Sequence, residues 1–111
     1  MKVEDLVDKF GLTVVAGEAG LDKEVKNGHC GDLLSEVMGN AAVGCIWLTV
    51  QGHQNIVAVA VLREMVAIVI TGGGKPDPET IDKAESEGIA LLAYPGSAFD
   101  LTGKFYEAGI N

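Results

Sequence analysis

The residues that could do chemistry in this sequence lie in three short turns rich in glycine and polar side chains. The turns cover residues 49–55, 71–77 and 94–97, and each follows an apolar segment typical of a buried strand. A helix is predicted after each turn, and the free N–H groups at a helix N-terminus attract anions. In an open parallel sheet, ligands bind beyond the carboxyl ends of the strands. The turns therefore predict a site for a phosphate or a carboxylate at that edge.

The candidate ligand-binding residues are the glycines and the small polar side chains of these turns. They are Thr49, Gly52, His53, Asn55, Thr71, Gly72, Gly73 and Ser97. Structural roles are the alternative, because polar side chains can cap helices and glycines can serve tight turns alone. The glycine run is not a P-loop, since that loop needs Ser or Thr after its lysine and Pro76 follows Lys75 here.

Nucleophilic catalysis and metal binding find little support in the sequence. No serine has the G-x-S-x-G setting of a nucleophile elbow. The two cysteines, Cys30 and Cys45, form no CxxC pair, and no acidic residue lies within nine positions of His53. We therefore expect no catalytic residue, no metal and no cofactor. A small enzyme that uses His53 or Cys45 at the same edge remains an alternative function.

Length and charge limit the classes of partner. The chain has 111 residues, enough for a single domain over 1–111, and a net charge of −8. Binding to nucleic acid or to an anionic membrane surface is not expected, because both need a positive field. We also expect no transmembrane helix and no secretory signal, and therefore a cytoplasmic location. An acidic adaptor that docks a partner protein is a further alternative.

Hydrophobic spacing predicts the elements that must position the turns. The predicted strands cover residues 12–16, a segment from Val25 towards Cys30, and residues 45–50, 66–71 and 89–94. The predicted helices cover residues 3–10, 33–38, 56–65 and 78–87, and a fifth follows Ser97. Asp32 is the predicted N-cap of the second helix, with Gly39 and Asn40 as its terminators, and Asn55 is the predicted N-cap of the third, which must lie centrally. The fourth helix lies between Asp77 and Gly88, and in the fifth the residues that share a face are Phe99, Thr102, Phe105 and Tyr106. Repeated strand–turn–helix units predict a single α/β domain with a mostly parallel sheet flanked by helices.

Two stretches resemble a known family. The sequence VEDLVDKFGLTVVAGEAGLDKEV, from Val3 to Val25, resembles the opening of the N-terminal domain of HPr kinase/phosphorylase. The second half is similar to a DRTGG domain, with a strand ending in Thr71-Gly72-Gly73 and a later GIALL segment, residues 88–92. The resemblance covers the whole chain and implies the DRTGG fold. The family's Asp-Arg pair is replaced, since that turn reads Gly-His-Gln-Asn over residues 52–55.

The resemblance also implies a class of function. In HPr kinase/phosphorylase the catalytic apparatus lies in a separate domain with a P-loop, so no kinase activity is implied here. The form most resembled is the stand-alone DRTGG protein, similar to small chains of iron-hydrogenase gene groups, and DRTGG domains also accompany CBS modules. We expect a non-catalytic regulatory or ligand-binding module for a small anionic metabolite or a protein partner. A homodimer is expected too, because such small modules often pair about a two-fold axis.

Overall fold

The computed structural model describes all 111 residues and contains five α-helices, one short 3-10 helix (Glu18–Gly20) and five strands. The helices are α1 (Val3–Phe10), α2 (Leu34–Asn40), α3 (Asn55–Leu62), α4 (Pro78–Glu87) and α5 (Ala98–Glu107). The strands are β1 (Thr13–Ala16), β2 (Asn27–Cys30), β3 (Cys45–Thr49), β4 (Ala67–Ile70) and β5 (Ala90–Ala93). Every predicted element is present, although several begin or end a few residues from the predicted bounds.

The strands form one sheet in the order β1-β5-β4-β3-β2. Strands β2 to β5 are parallel, and only β1 runs antiparallel, against β5. Thr49 pairs with Ile70 and Ile70 pairs with Ala93, so β3, β4 and β5 end at the same level. This register confirms the mostly parallel sheet and places the three turns side by side at its carboxyl edge.

Helices cover both faces of the sheet and enclose two apolar clusters. Trp47 and Ile68 belong to the cluster beneath α2, α3 and α4, whereas Ile46 and Val69 belong to the cluster beneath α1 and α5. Successive side chains of a strand alternate between the two faces of the sheet, and here both faces are covered. All residues of β3 and β4 are therefore buried. Burial on both sides explains why these strands are continuous apolar runs in the sequence.

The helix ends show the signals that predicted them. Gly11 and Gly88 adopt the left-handed conformation at the C-caps of α1 and α4. Pro78 begins α4, where a missing N–H costs nothing. The Ser97 hydroxyl accepts a hydrogen bond of 3.0 Å from the Asp100 amide and so caps α5.

Asp32 is not the N-cap of α2, contrary to the prediction. Leu33 occupies that position. The Asp32 carboxylate instead accepts hydrogen bonds from the Thr49 hydroxyl at 2.9 Å and from the Val50 amide at 2.8 Å. A carboxylate can satisfy the donors at the end of a neighbouring strand as well as those of a helix, and here it fastens the end of β2 to the end of β3.

Two predicted helix ends are also wrong. The helix α2 includes the expected terminators Gly39 and Asn40, ends at Asn40 and has Ala41 as its C-cap. The helix α3 ends at Leu62 rather than near residue 65, because the chain turns through a left-handed residue at Glu64. The expected central position of α3 holds, since it packs between α2 and α4. No helix in the chain is both long and apolar enough to cross a membrane.

The face predicted for α5 is only partly buried. Leu101 and Phe105 lie in the core beneath this helix. Phe99 is 90% exposed, Tyr106 is 66% exposed, and Thr102 is exposed as well. Periodicity locates a face of a helix, but it does not show whether another element of the same chain covers that face.

Candidate functional site

The three turns predicted to converge are joined by backbone hydrogen bonds. The Thr71 amide donates to the Thr49 carbonyl at 2.9 Å, which links the turn after β4 to the turn after β3. The Gly72 amide donates to the Gly96 carbonyl at 2.8 Å, which links it to the turn after β5. Thr49, Thr71, Gly72 and Ser97 therefore lie along one edge of the sheet, as the parallel topology predicted.

Gly52 holds the first two turns together. Its carbonyl accepts hydrogen bonds from the Asp77 amide at 3.0 Å and from the buried Thr80 hydroxyl at 2.6 Å. A Cβ atom at Gly52 would lie 2.6 Å from the Lys75 carbonyl oxygen, which is too close for any side chain. The predicted ligand-binding glycine is thus required for a close approach between two segments of backbone.

Gly72 and Gly73 form the open part of the edge. Both have left-handed backbone conformations, with φ of 72° and 76°, and a Cβ atom added to either would meet nothing within 4 Å. The Gly73 amide has only a long contact of 3.5 Å, to the Tyr94 carbonyl oxygen. Glycine therefore exposes the backbone here, so that another molecule can approach it closely.

Thr49 and Thr71 are equally buried, each 1% exposed, but their hydroxyls have different environments. The Thr49 hydroxyl donates to Asp32 at 2.9 Å and accepts from the Gln51 amide at 3.2 Å. The Thr71 hydroxyl is buried and has no hydrogen-bond partner. Most buried polar atoms are paired, so an unpaired one in a native protein requires a specific explanation.

The start of α3 differs from the prediction. Gln54 is the N-cap of α3, and Asn55 is the first helical residue, so the cap predicted at Asn55 is wrong. The His53 Nδ1 atom accepts a hydrogen bond of 3.1 Å from the Asn55 amide. No intramolecular hydrogen bond uses the N–H groups of Gly52, His53 and Gln54. These N–H groups are free to bind an anion.

A polar network at the start of α5 was not predicted. The Tyr94 hydroxyl donates a hydrogen bond to the Asp100 carboxylate and accepts one of 3.0 Å from the Lys104 ammonium group. Two hydrogen bonds lower the pKa of the Asp100 carboxyl group: the one from Tyr94 contributes most, and the one from Lys104 contributes next. The hydrogen bond to Tyr94 contributes most to raising the pKa of Lys104, and the hydrogen bond and charge attraction to Asp100 contribute next. The spacing of four residues between Asp100 and Lys104 was the one available signal.

The residues named for an enzymatic alternative do not come together. Cys45 begins β3 and His53 follows the end of the same strand, so they lie at opposite edges of the sheet. Cys45 is fully buried, and burial raises the pKa of its thiol. Its reactive thiolate form is therefore disfavoured. No group of three or more His, Cys, Asp or Glu side chains is arranged to hold a metal ion.

The carboxyl edge is an open surface. The chain has four cavities, and none of the eight candidate residues lines any of them. A ligand at this edge would therefore contact exposed backbone and helix N-termini rather than enter an enclosed cleft.

Comparison with known proteins addresses the fold. No protein-family model and no curated protein matches the sequence. Among solved structures, the chain resembles the CBS and DRTGG domains of the regulatory region of Clostridium perfringens pyrophosphatase, in complex with its activator diadenosine tetraphosphate. The TM-score is 0.71 at 16% sequence identity. The fold is DRTGG-like. The match covers 92% of this chain and 44% of that chain.

Proposed function

We propose that the protein is a non-catalytic regulatory module that binds a small anionic ligand at the carboxyl edge of its sheet. The observation that carries this proposal is the Thr71 hydroxyl, which is buried without a partner directly before the exposed backbone of Gly72 and Gly73. A ligand oxygen that pairs with this hydroxyl would remove the cost of leaving it unsatisfied. A bound anion would thereby stabilise the folded chain.

Backbone N–H groups, rather than basic side chains, supply the attraction for an anion. The chain has only 8 basic residues against 16 acidic ones. The unused amides of Gly52, His53 and Gln54 precede α3, and the Lys75 amide, which also lacks an intramolecular partner, precedes α4. The positive end of a helix dipole and neighbouring amides together stabilise a phosphate or carboxylate.

The structural comparison supports a regulatory role for this kind of fold. The DRTGG domain of the pyrophosphatase belongs to a regulatory region, and that region was solved with a nucleotide activator. We propose the same class of function, regulation, for this chain, through a small ligand and through a protein partner that responds to the bound ligand. Kinship with the N-terminal domain of HPr kinase/phosphorylase is part of our proposal, carried by the residues from Val3 to Val25.

Two further features belong to the proposal. We propose that the protein is a homodimer, because the exposed aromatic side chains of α5 leave surface for a second copy. We also propose a cytoplasmic location, where two unpaired cysteines such as Cys30 and Cys45 are kept reduced.

A thermal-shift series tests ligand binding at this edge. The probes are inorganic phosphate, acetyl phosphate, glucose 6-phosphate and ATP. A probe at 100 times its Kd adds about 2.7 kcal/mol to the free energy of unfolding, which raises the melting temperature by several degrees. At least one probe is expected to do so in a saturable manner.

Paired glycine variants locate the site. Gly73→Leu is expected to abolish the shift by blocking the exposed backbone. Gly109→Leu is the control, because Gly109 also has a positive φ and open space around its Cβ position but follows α5 at the opposite edge. The proposal fails if no probe raises the melting temperature, or if the two variants respond to the probe equally.

A further inference from the structure

One flank of α5 carries no charge. Phe99, Thr102, Gly103 and Tyr106 are spaced three and four residues apart and are all exposed, with Phe99 at 90% and Tyr106 at 66%. Residues with this spacing share one face of a helix. The charged residues of α5 lie along a different flank: they are Asp100, Lys104 and Glu107. The uncharged flank is therefore a continuous strip with two projecting aromatic rings.

A groove separates this strip from the edge strand β2. Its volume is about 180 Å³. It is lined by residues of β2, α5 and the C-terminal segment: Gly28, His29, Cys30, Thr102, Phe105, Tyr106, Ile110 and Asn111. A Cβ atom at Gly28 would lie 3.5 Å from an Ile110 methyl group, so glycine keeps the groove wide at that point. An apolar cavity of roughly 150 Å³ accepts a benzene molecule, and a phenyl ring therefore fits here.

We propose that the strip and the groove bind a second copy of this chain, with Phe99 of each copy inserted into the groove of the other. This inference rests on the proposed homodimer and assigns its interface. A two-fold interface uses the same patch on both copies, so a projecting ring and a receiving groove on one patch complement each other. The unpaired outer edge of β2, which borders the groove, is protected by the same contact.

Charge distinguishes this strip from the rest of the surface. With a net charge of −8, two copies repel each other over most of their surfaces. The strip adds no charge of its own to that repulsion, because its only ionisable side chain is the Tyr106 phenol. The core of a protein interface is typically depleted in charged residues and enriched in aromatic ones, as this strip is.

The area that the strip and the groove can bury approaches the lower end of the range for specific interfaces. A fully buried aromatic side chain contributes about 150–250 Å², and Phe99 is 90% and Tyr106 66% exposed, so these side chains of two copies can bury roughly 470–780 Å². The walls of both grooves and the Thr102 and Gly103 surfaces bring the total towards the roughly 1,200 Å² of the smaller specific interfaces. Gly103 has nothing within 4 Å of its Cβ position, which lets the two helices approach closely.

Sedimentation velocity over a dilution series tests the interface. The wild-type protein is expected to be a dimer, and Phe99→Glu is expected to weaken association by roughly 30-fold or more, as truncation of a central aromatic anchor does. Leu62→Glu is the matched control, because Leu62 is also an exposed apolar residue, 69% exposed, but belongs to α3 on the other face of the sheet. The control is expected to remain dimeric.

Alkylation of Cys30 gives an independent measurement of the same contact. This thiol is exposed in the isolated chain and lines the groove. We expect it to react more slowly in the wild-type dimer than in Phe99→Glu, with circular dichroism confirming that both proteins are folded. Equal rates would contradict the interface.

The possible results separate the two proposals. A monomeric wild-type protein at all concentrations overturns both the homodimer and its interface. A dimer whose affinity is unchanged in Phe99→Glu overturns the interface and leaves the homodimer standing. Dissociation by Leu62→Glu alone also overturns the interface, because it moves the contact to the other face.

Discussion

Replacing Thr71 with valine is expected to stabilise the protein while removing its response to the anion. Thr71 is 1% exposed, and its hydroxyl has no partner. Valine keeps the β-branched shape that suits the end of a strand and substitutes a methyl group for the hydroxyl. The substitution therefore removes an unsatisfied polar atom from the core with little change in packing.

The magnitude follows from the cost of an unsatisfied buried group. That cost is about 1–3 kcal/mol, so Thr71→Val is expected to add about 1–2 kcal/mol to the free energy of unfolding. In a domain of this size, each kcal/mol corresponds to roughly 3–6 °C in melting temperature. A stabilising substitution that costs function is the usual behaviour of a site kept strained or unsatisfied for binding.

Thr49→Val is the matched control on the neighbouring strand. Thr49 is equally buried, but its hydroxyl donates to the Asp32 carboxylate at 2.9 Å. Loss of that charge-assisted hydrogen bond is expected to destabilise the protein by about 1–3 kcal/mol. Chemical denaturation and thermal shifts, with and without the active probe, measure both variants. The reasoning is refuted if Thr71→Val lowers the melting temperature, or if it leaves the response to the probe intact.

Other substitutions test individual parts of the structure. Gly52→Ala is expected to lower the free energy of unfolding by about 1–3 kcal/mol through overpacking, whereas Gly39→Ala, in an open helical position, is expected to raise it by up to about 1 kcal/mol; chemical denaturation decides. In the native chain only the Cys30 thiol is expected to react with a thiol reagent, whereas both thiols are expected to react in denaturant. Rapid reaction of both thiols in the native chain would contradict the buried position of Cys45. Tyr94→Phe is expected to raise the pKa of Asp100 towards its usual value, as measured by NMR titration of the carboxyl carbon. Because folding lowers the pKa of Asp100, the ionised carboxylate stabilises the folded protein above its usual pKa, and this stabilisation is lost as the pH falls through the pKa of the folded state. In Tyr94→Phe this loss of stability in acid is expected to be smaller.

The sequence predicted the features that depend on local pattern and on topology. The apolar run before Thr71 is a buried parallel strand. Ser97 begins a helix and Gly88 ends one, as their residue types indicate. Convergence of the three turns then follows from topology, because parallel strands place their carboxyl ends at one edge. These conclusions need no knowledge of individual contacts.

The sequence did not predict contacts between distant residues. Asp32 has the position of a helix cap, but its partners are at the end of β3, 17 and 18 residues away. The unpaired state of the Thr71 hydroxyl depends on what surrounds it in the folded chain. The exposure of Phe99 likewise depends on the width of the sheet that α5 covers. No local signal distinguishes these situations.

An NMR titration of the ¹⁵N-labelled protein tests anion binding at the carboxyl edge most directly. Acetyl phosphate, ATP and inorganic phosphate are the probes, and amide chemical shifts are followed to saturation. Binding at this edge predicts saturable shifts concentrated in three segments: residues 52–54, 71–75 and 96–99. The proposed function is contradicted if none of the probes produces saturable shifts, or if the shifts lie instead along the groove between β2 and α5.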